Sequence, residues 1–251
     1  MLNIINNRYT RQTMLKQIGS EGQEKLKRAS VIVIGAGGLG APALTYLAAA
    51  GVGHIGIVDS DTVSASNLNR QFLHNEADLK RPKAVSAKEK LEALNSEIRI
   101  SAYEETLTDK NAKDILAGFD LVLGAVDTYE TRFVINRASV ELCLPYIDGG
   151  INGFYGCIIF SLPKKTPCLN CVFPNKKSDR QEGGVLGTTA GIIGTLEANL
   201  ALLWLINQQN PIEKKLILYD GLKMSMDFVD IERDKNCPVC KGGAVTQGAA
   251  L

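Results

Sequence analysis

The six residues Gly35-Ala36-Gly37-Gly38-Leu39-Gly40 constrain the fold more than any other stretch of this chain. They stand between a β-branched apolar run at 29–34 and an alanine-rich segment at 41–50, with Pro42 where a helix tolerates it, in the first turn. A buried strand that passes through a glycine turn directly into a helix opens a βαβ unit. Glycines at 35, 37, 38 and 40 let backbone approach phosphates, and the helix N-terminus adds partial positive charge. Asp59 closes a second apolar run, 54–58, and lies 19 residues after Gly40, where an acid accepts hydrogen bonds from ribose hydroxyls. The motif alone does not separate nicotinamide or flavin cofactors from ATP.

The pattern that follows extends the unit. Strands are predicted at 98–103, 121–126 and 145–148, and helices at 82–95, 111–116 and 128–142, after a leading helix within 9–27. Such alternation predicts a parallel sheet with crossover helices. After Gly150 the rhythm changes: strands at 155–162, 216–220 and 226–232 have one long apolar helix among them, and the last two read as antiparallel. The expected fold is α/β, a Rossmann-like, largely parallel sheet extended by antiparallel strands. With no internal repeat or linker, residues 1–241 read as a single domain and 242–251 as a flexible tail.

Composition excludes several classes. A net charge of +1 gives no basic surface for a nucleic-acid backbone. The longest apolar stretch, 187–207, contains Glu197 and Asn199 and reads as a buried helix, not a membrane span. No basic-then-apolar leader opens the chain, and six cysteines without a secretory signal predict a reducing compartment, the cytoplasm.

Polar residues past the second strand favour a triphosphate. Ser66-Asn67-Leu68-Asn69-Arg70-Gln71 lies beyond a strand's carboxyl end, where open α/β sheets bind ligands. Lys83 begins a helix, where its charge opposes the dipole unless it faces an anion; a solvated lysine is the other reading. Arg70 and Lys83 supply the cations a triphosphate needs and a dehydrogenase does not. Asp127 has two readings: N-cap of the next helix with Glu130 three residues on, or a carboxylate holding Mg²⁺. Thr128 follows it.

Two Cys-x-x-Cys pairs, Cys168/Cys171 and Cys237/Cys240, share one spacing and have no histidine nearby. Four thiolates favour a closed tetrahedral site for structural zinc; redox dithiols are the alternative. His54 and His74, the two histidines, read as structural or solvated.

These motifs resemble those of the ThiF/MoeB/HesA adenylyltransferases, bacterial relatives of ubiquitin-activating enzymes. The likeness runs from Arg8-Tyr9-Thr10-Arg11-Gln12, through the glycine turn, Asp59-Ser60-Asp61-Thr62-Val63, Asn67-Leu68-Asn69-Arg70-Gln71-Phe72, Arg81-Pro82-Lys83 and Asp127-Thr128, to Cys237-Pro238-Val239-Cys240. It implies ATP at the glycine turn, with Gly38 against the phosphates and Asp59 against the ribose. Ser66, Asn67, Arg70 and Lys83 would line the nucleotide, with Thr128 beside Asp127 and its Mg²⁺. Arg11 would reach the neighbouring protomer's site in a homodimer. The implied reaction adenylates the C-terminal glycine of a ubiquitin-like sulfur-carrier protein ending in Gly-Gly, for thiamine, molybdopterin or related sulfur-cofactor synthesis.

One departure matters. Many relatives carry a cysteine in the loop where this chain has Arg180. Cys143 and Cys157 lie on apolar segments and read as inert buried thiols, so a covalent enzyme–carrier step is not expected. The sulfur donor is then a separate chain. The alternatives are a NAD-dependent oxidoreductase, adenylation of a tRNA or peptide, and a non-catalytic scaffold for a ubiquitin-like partner.

Overall fold

A computed structural model describes residues 8–174, 176–178 and 183–241. One eight-stranded sheet runs in the order β3-β2-β1-β4-β5-β6-β7-β8. Its first half comprises β1 (Ser30–Ile34), β2 (His54–Val58), β3 (Arg99–Tyr103), β4 (Leu121–Gly124) and β5 (Tyr146–Asn152), all parallel. Antiparallel β6 (Tyr155–Ser161), β7 (Lys215–Asp220) and β8 (Ser225–Asp230) extend it. Val31, Ile32 and Val33 of β1 are fully buried, as expected of a strand covered on both faces. Helices α3 (Gly40–Ala50), α4 (Lys83–Leu94) and α8 (Gly187–Asn207) cover one face; α5 (Ala112–Leu116) and α6 (Tyr129–Glu141) cover the other. The mixed α/β sheet matches the expectation.

Three local features differ from the sequence reading. The leading helix is two, α1 (Thr10–Thr13) and α2 (Gly19–Arg28), because Gly19 takes a left-handed φ of 56°. A short helix, α7 (Leu169–Val172), which the sequence reading did not predict, forms inside the first cysteine pair. β5 continues to Asn152 through Gly149-Gly150, a pair that reads as a break. A Cβ at Gly149 would lie 2.6 Å from the Glu197 carboxyl carbon, and one at Gly150 3.0 Å from Arg132 Nη1. The glycines keep the strand going because buried side chains occupy both faces of it.

Helix α8 is long and apolar enough to cross a bilayer, but half of that stretch is buried within the fold. A Cβ at Gly194 would meet the Leu39 carbonyl at 2.2 Å, so α8 and α3 approach backbone to backbone. Its first residue, Gly187, abuts the Asn69 carbonyl, and at its far end Asn207 Nδ2 donates to Gln17 O at 3.1 Å.

Under β5, buried Arg132 donates through Nε (2.9 Å) and Nη2 to the fully buried Asp148, which also accepts from Tyr146 Oη. Breaking such a pair strands a charge in a low-dielectric interior. Arg132→Met is therefore expected to lower unfolding stability by about 3–5 kcal/mol. Urea unfolding checks this; a loss below 1 kcal/mol would mean that Asp148 finds water or neutralises on its own.

Candidate nucleotide site and cysteine cluster

The strand order reverses direction between β1 and β4, and the crevice at their carboxyl ends is where open α/β sheets bind ligands. The glycine turn fills the floor of this crevice. Gly35 has φ 102°, and a Cβ there would stand 2.4 Å from the Ala125 carbonyl that follows β4. At Gly40 a Cβ would overlap the Gly35 carbonyl at 2.0 Å. These two glycines are obligatory for the turn itself. Gly37 and Gly38 have more room, 3.4 Å from Gln71 Nε2 and 3.2 Å from Ala190 Cβ. Ala41 N–H donates to Gly37 O, but the N–H groups of residues 37–40 donate to no described residue. They are the open donors of a helix N-terminus.

Asp59 braces this turn. Its Oδ2 accepts from Ala36 N at 2.8 Å and its Oδ1 from Asp61 N at 2.9 Å. Burial pushes its carboxyl above the usual range, and the two backbone hydrogen bonds oppose that shift. A ribose hydroxyl would have to share oxygens that already each hold one bond.

Lys83 is 6% exposed, which excludes the solvated reading. Its N–H donates to Asp61 O and its Nζ sits 2.9 Å from Asp61 Oδ2, a carboxylate that is itself largely exposed. Arg70 lays its stem over Gly38 and donates through Nη1 to Ser66 O and Asn69 Oδ1, both at 3.0 Å. Asn67 Oδ1 accepts from Ser64 N at 3.3 Å and closes a capping box, while Ser66 Oγ pairs with Ser64 Oγ.

Asp127 is not an N-cap. Helix α6 starts at Tyr129, and the cap is Thr128, whose Oγ1 accepts from Thr131 N at 3.4 Å. The chain needs one more extended residue to leave β4, and this moves the cap one place along. Glu130 is drawn away from a capping box by Ser178, whose Oγ donates to it at 2.6 Å. Asp127 is exposed and has no hydrogen bond to any described residue.

Arg11 lies elsewhere in its own chain. Neighbouring Tyr9 packs on Gly51, at the end of α3 opposite the glycine turn, and Gln12 donates to Ala50 O. The 11 residues of α3 put about 16 Å between that end and the turn. The structure thus joins the glycine turn, Asp59, Arg70, Lys83 and Asp127 around one crevice and leaves Arg11 outside it.

The cysteines form a second centre. Cys168, Cys171, Cys237 and Cys240 are free, and their four Sγ atoms lie within 4.8 Å of one another. Neighbouring sulfurs are 3.5–3.8 Å apart, too far for disulfides. A tetrahedron with metal–sulfur bonds of about 2.3 Å has edges of about 3.8 Å, so the donor set fits a metal ion. The hydrogen bond from Cys168 holds the Cys171 thiol down at about 5, toward the thiolate a metal binds. Leu169 N–H donates to Asn136 Oδ1 on α6, and Arg233 donates to Cys240 O, which ties both pairs to the fold.

The remaining cysteines need one correction. Cys143 is exposed, not buried, with φ 54° just beyond the end of α6. The 13 residues of α6 put it about 20 Å from Asp127. Cys157 is half-buried against Arg132, and burial pushes its thiol up. Arg180 and residues 242–251 lie outside the described residues.

The sequence profile of the ThiF family matches residues 9–239. The chain belongs to the ThiF family. A ThiF-family relative from Thermus thermophilus, a sulfur carrier protein adenylyltransferase, is 43% identical over 244 residues, covering 93% of this chain and 90% of its own. The adenylyltransferase and sulfurtransferase MOCS3 of Culex quinquefasciatus is 41% identical, and there the chain spans only 55% of the relative. Among solved structures, E. coli MccB with ATP superposes with a TM-score of 0.84 at 25% identity, covering 94% of this chain and 75% of that one.

Proposed function

We propose that this ThiF-family chain is an enzyme, an adenylyltransferase that uses Mg-ATP to adenylate the C-terminal carboxylate of a ubiquitin-like sulfur-carrier protein. The observation that carries this reading is the glycine turn itself: four amides that donate to no described residue, with Arg70 laid over Gly38, buried Lys83 on the adjoining segment, and an exposed Asp127 without a described partner just past β4. Amides and cations of this kind suit a triphosphate, and the T. thermophilus relative's name supports the substrate class.

A carboxylate is already a nucleophile at neutral pH, so no general base is required. Its oxygen bonds to the α-phosphorus as the α–β bridging bond breaks, and pyrophosphate leaves with that electron pair. The amides at 37–40 cradle the phosphates, with Gly38 at their closest approach, and Arg70 and Lys83 neutralise charge. Asn67 and Ser66 shape the wall, and Asp59 fixes the turn near the ribose. Asp127 and Thr128 would hold Mg²⁺, which supplies further charge neutralisation for the leaving pyrophosphate.

Structural zinc in the Cys168/Cys171/Cys237/Cys240 cluster, a homodimer in which Arg11 serves the neighbouring site, a separate sulfur donor and a single domain over residues 1–241 belong to the same reading. So does a cytoplasmic setting, which suits four thiols held as metal ligands.

The test is carrier-dependent ATP–pyrophosphate exchange with a carrier ending in Gly-Gly. Exchange with the carrier and Mg²⁺, and no thiol-sensitive enzyme–carrier adduct, is expected. Exchange driven instead by a tRNA or peptide, or turnover of a nicotinamide cofactor without pyrophosphate release, would replace this assignment.

A further inference from the structure

His74 is buried in the loop between Phe72 and α4, and neither of its ring nitrogens faces solvent or the crevice. Its Nε2 lies 2.9 Å from the carbonyl oxygen of Ala36, the second residue of the glycine turn. A carbonyl only accepts, so Nε2 carries the proton. Burial pushes the imidazole down and keeps the ring neutral, which leaves Nδ1 as an acceptor. Ser86 Oγ, 2.9 Å away, donates to it. Ser86 is in turn set by Lys90, whose Nζ donates to Ser86 Oγ at 2.9 Å and to the buried Asp78. One connected set of hydrogen bonds therefore runs from Asp78 on the loop, through α4, to the floor of the crevice.

What reaches the floor matters for its donors. In an uninterrupted helix the Ala36 carbonyl would accept from the N–H four residues on, that of Gly40, yet those groups are not bonded. The next pair in the ladder, Ala41 N–H to Gly37 O, is formed at 2.8 Å. The peptide between Ala36 and Gly37 is trans, so its N–H points opposite to its carbonyl. Fixing that oxygen on His74 aims the Gly37 N–H the other way. Asp59 holds the preceding N–H of Ala36, so this residue is clamped at both its polar groups by side chains from separate segments.

We infer that His74 is a positioning residue of the nucleotide turn: it captures the Ala36 carbonyl and so leaves the Gly37 and Gly40 amides free for the phosphates. The inference rests on the nucleotide-binding reading given above. His74 does not touch the substrate in this arrangement and acts only through the turn.

Two substitutions separate positioning from packing. The glutamine amide reaches the place of Nε2, and the asparagine amide the place of Nδ1. His74→Gln keeps a donor for Ala36 and loses the Ser86 contact; His74→Asn does the reverse. Calorimetric titration of the full-length chain with Mg-ATP should show affinity weakened about tenfold in His74→Asn, the loss of one directing hydrogen bond, and within about threefold of the parent in His74→Gln. Both should lose similar amounts of thermal stability, and the KM for the carrier should stay unchanged in both. Equal Mg-ATP affinities in the two variants, or losses that follow the melting temperatures, would overturn the inference. Should His74→Asn fail to fold, His74→Gln supplies the reading by itself: the donor it keeps for Ala36 should hold Mg-ATP affinity within about threefold of the parent. A loss of about tenfold or more in folded His74→Gln would equally overturn it. Failure of the unsubstituted chain to bind Mg-ATP would instead remove the nucleotide reading, and this inference with it.

Discussion

Asp127→Ala should lose about a hundredfold or more of carrier-dependent ATP–pyrophosphate exchange while its melting temperature stays within about 2 °C of the parent. The two halves of this expectation come from one fact: the carboxylate is exposed and bonds to no described residue, so the described part of the fold does not use it. A charge that stabilises nothing in the free chain is available for a metal and phosphates. The neighbouring residue gives the contrast. Thr128 caps α6, so Thr128→Ala should cost about 1 kcal/mol of stability, or about 2–4 °C. Exchange assays and thermal melts on both variants test this. Full activity in a destabilised Asp127→Ala protein would return the residue to a structural role.

Replacing Cys171 by serine should lower the melting temperature by on the order of 10 °C and reduce zinc from one ion per chain to none. The cluster joins Cys168 and Cys171, which follow the sheet's sixth strand, to Cys237 and Cys240, which follow its last, so one ion bound there would close a loop of most of the antiparallel half. Sulfur separations of 3.5–3.8 Å leave the thiols without a covalent partner and crowded together, an arrangement a cation relieves. Metal analysis of carefully prepared protein and melts with and without chelator decide the matter. A chain that contains no zinc, or whose melting is indifferent to chelation, would end the structural-metal reading.

Much of this architecture was legible because the parallel strands are short apolar runs separated by polar or glycine-bearing segments. Ser30–Ile34 and Leu121–Gly124 could hardly be anything else. The Gly149-Gly150 stretch was not legible, because what keeps it extended is the bulk of Glu197 and Arg132 pressing from distant helices. The same limit applied at the crevice. Spacing gathered Arg70, Lys83 and Asp127, but the cap belonged to Thr128, one residue on, since the length of the exit from a strand is set by packing. Cys143 looked like core from its apolar neighbours and is exposed at a helix end. His74 carried no signal at all. Its decisive partner is a main-chain oxygen 38 residues away, and every residue type presents the same oxygen.

Helix α8 touches the candidate nucleotide crevice with its first residue and Gln17, between α1 and α2, with its last. Its 21 residues make a rod of about 30 Å, packed backbone to backbone against α3 at Gly194. The rod is a gauge. It sets how far the segment that carries Arg11 stands from the same chain's own glycine turn, and no side-chain rotation can make up that distance. In the homodimer proposed above, Arg11 would therefore serve the crevice of the other copy, and the length of a single buried helix would keep it out of its own.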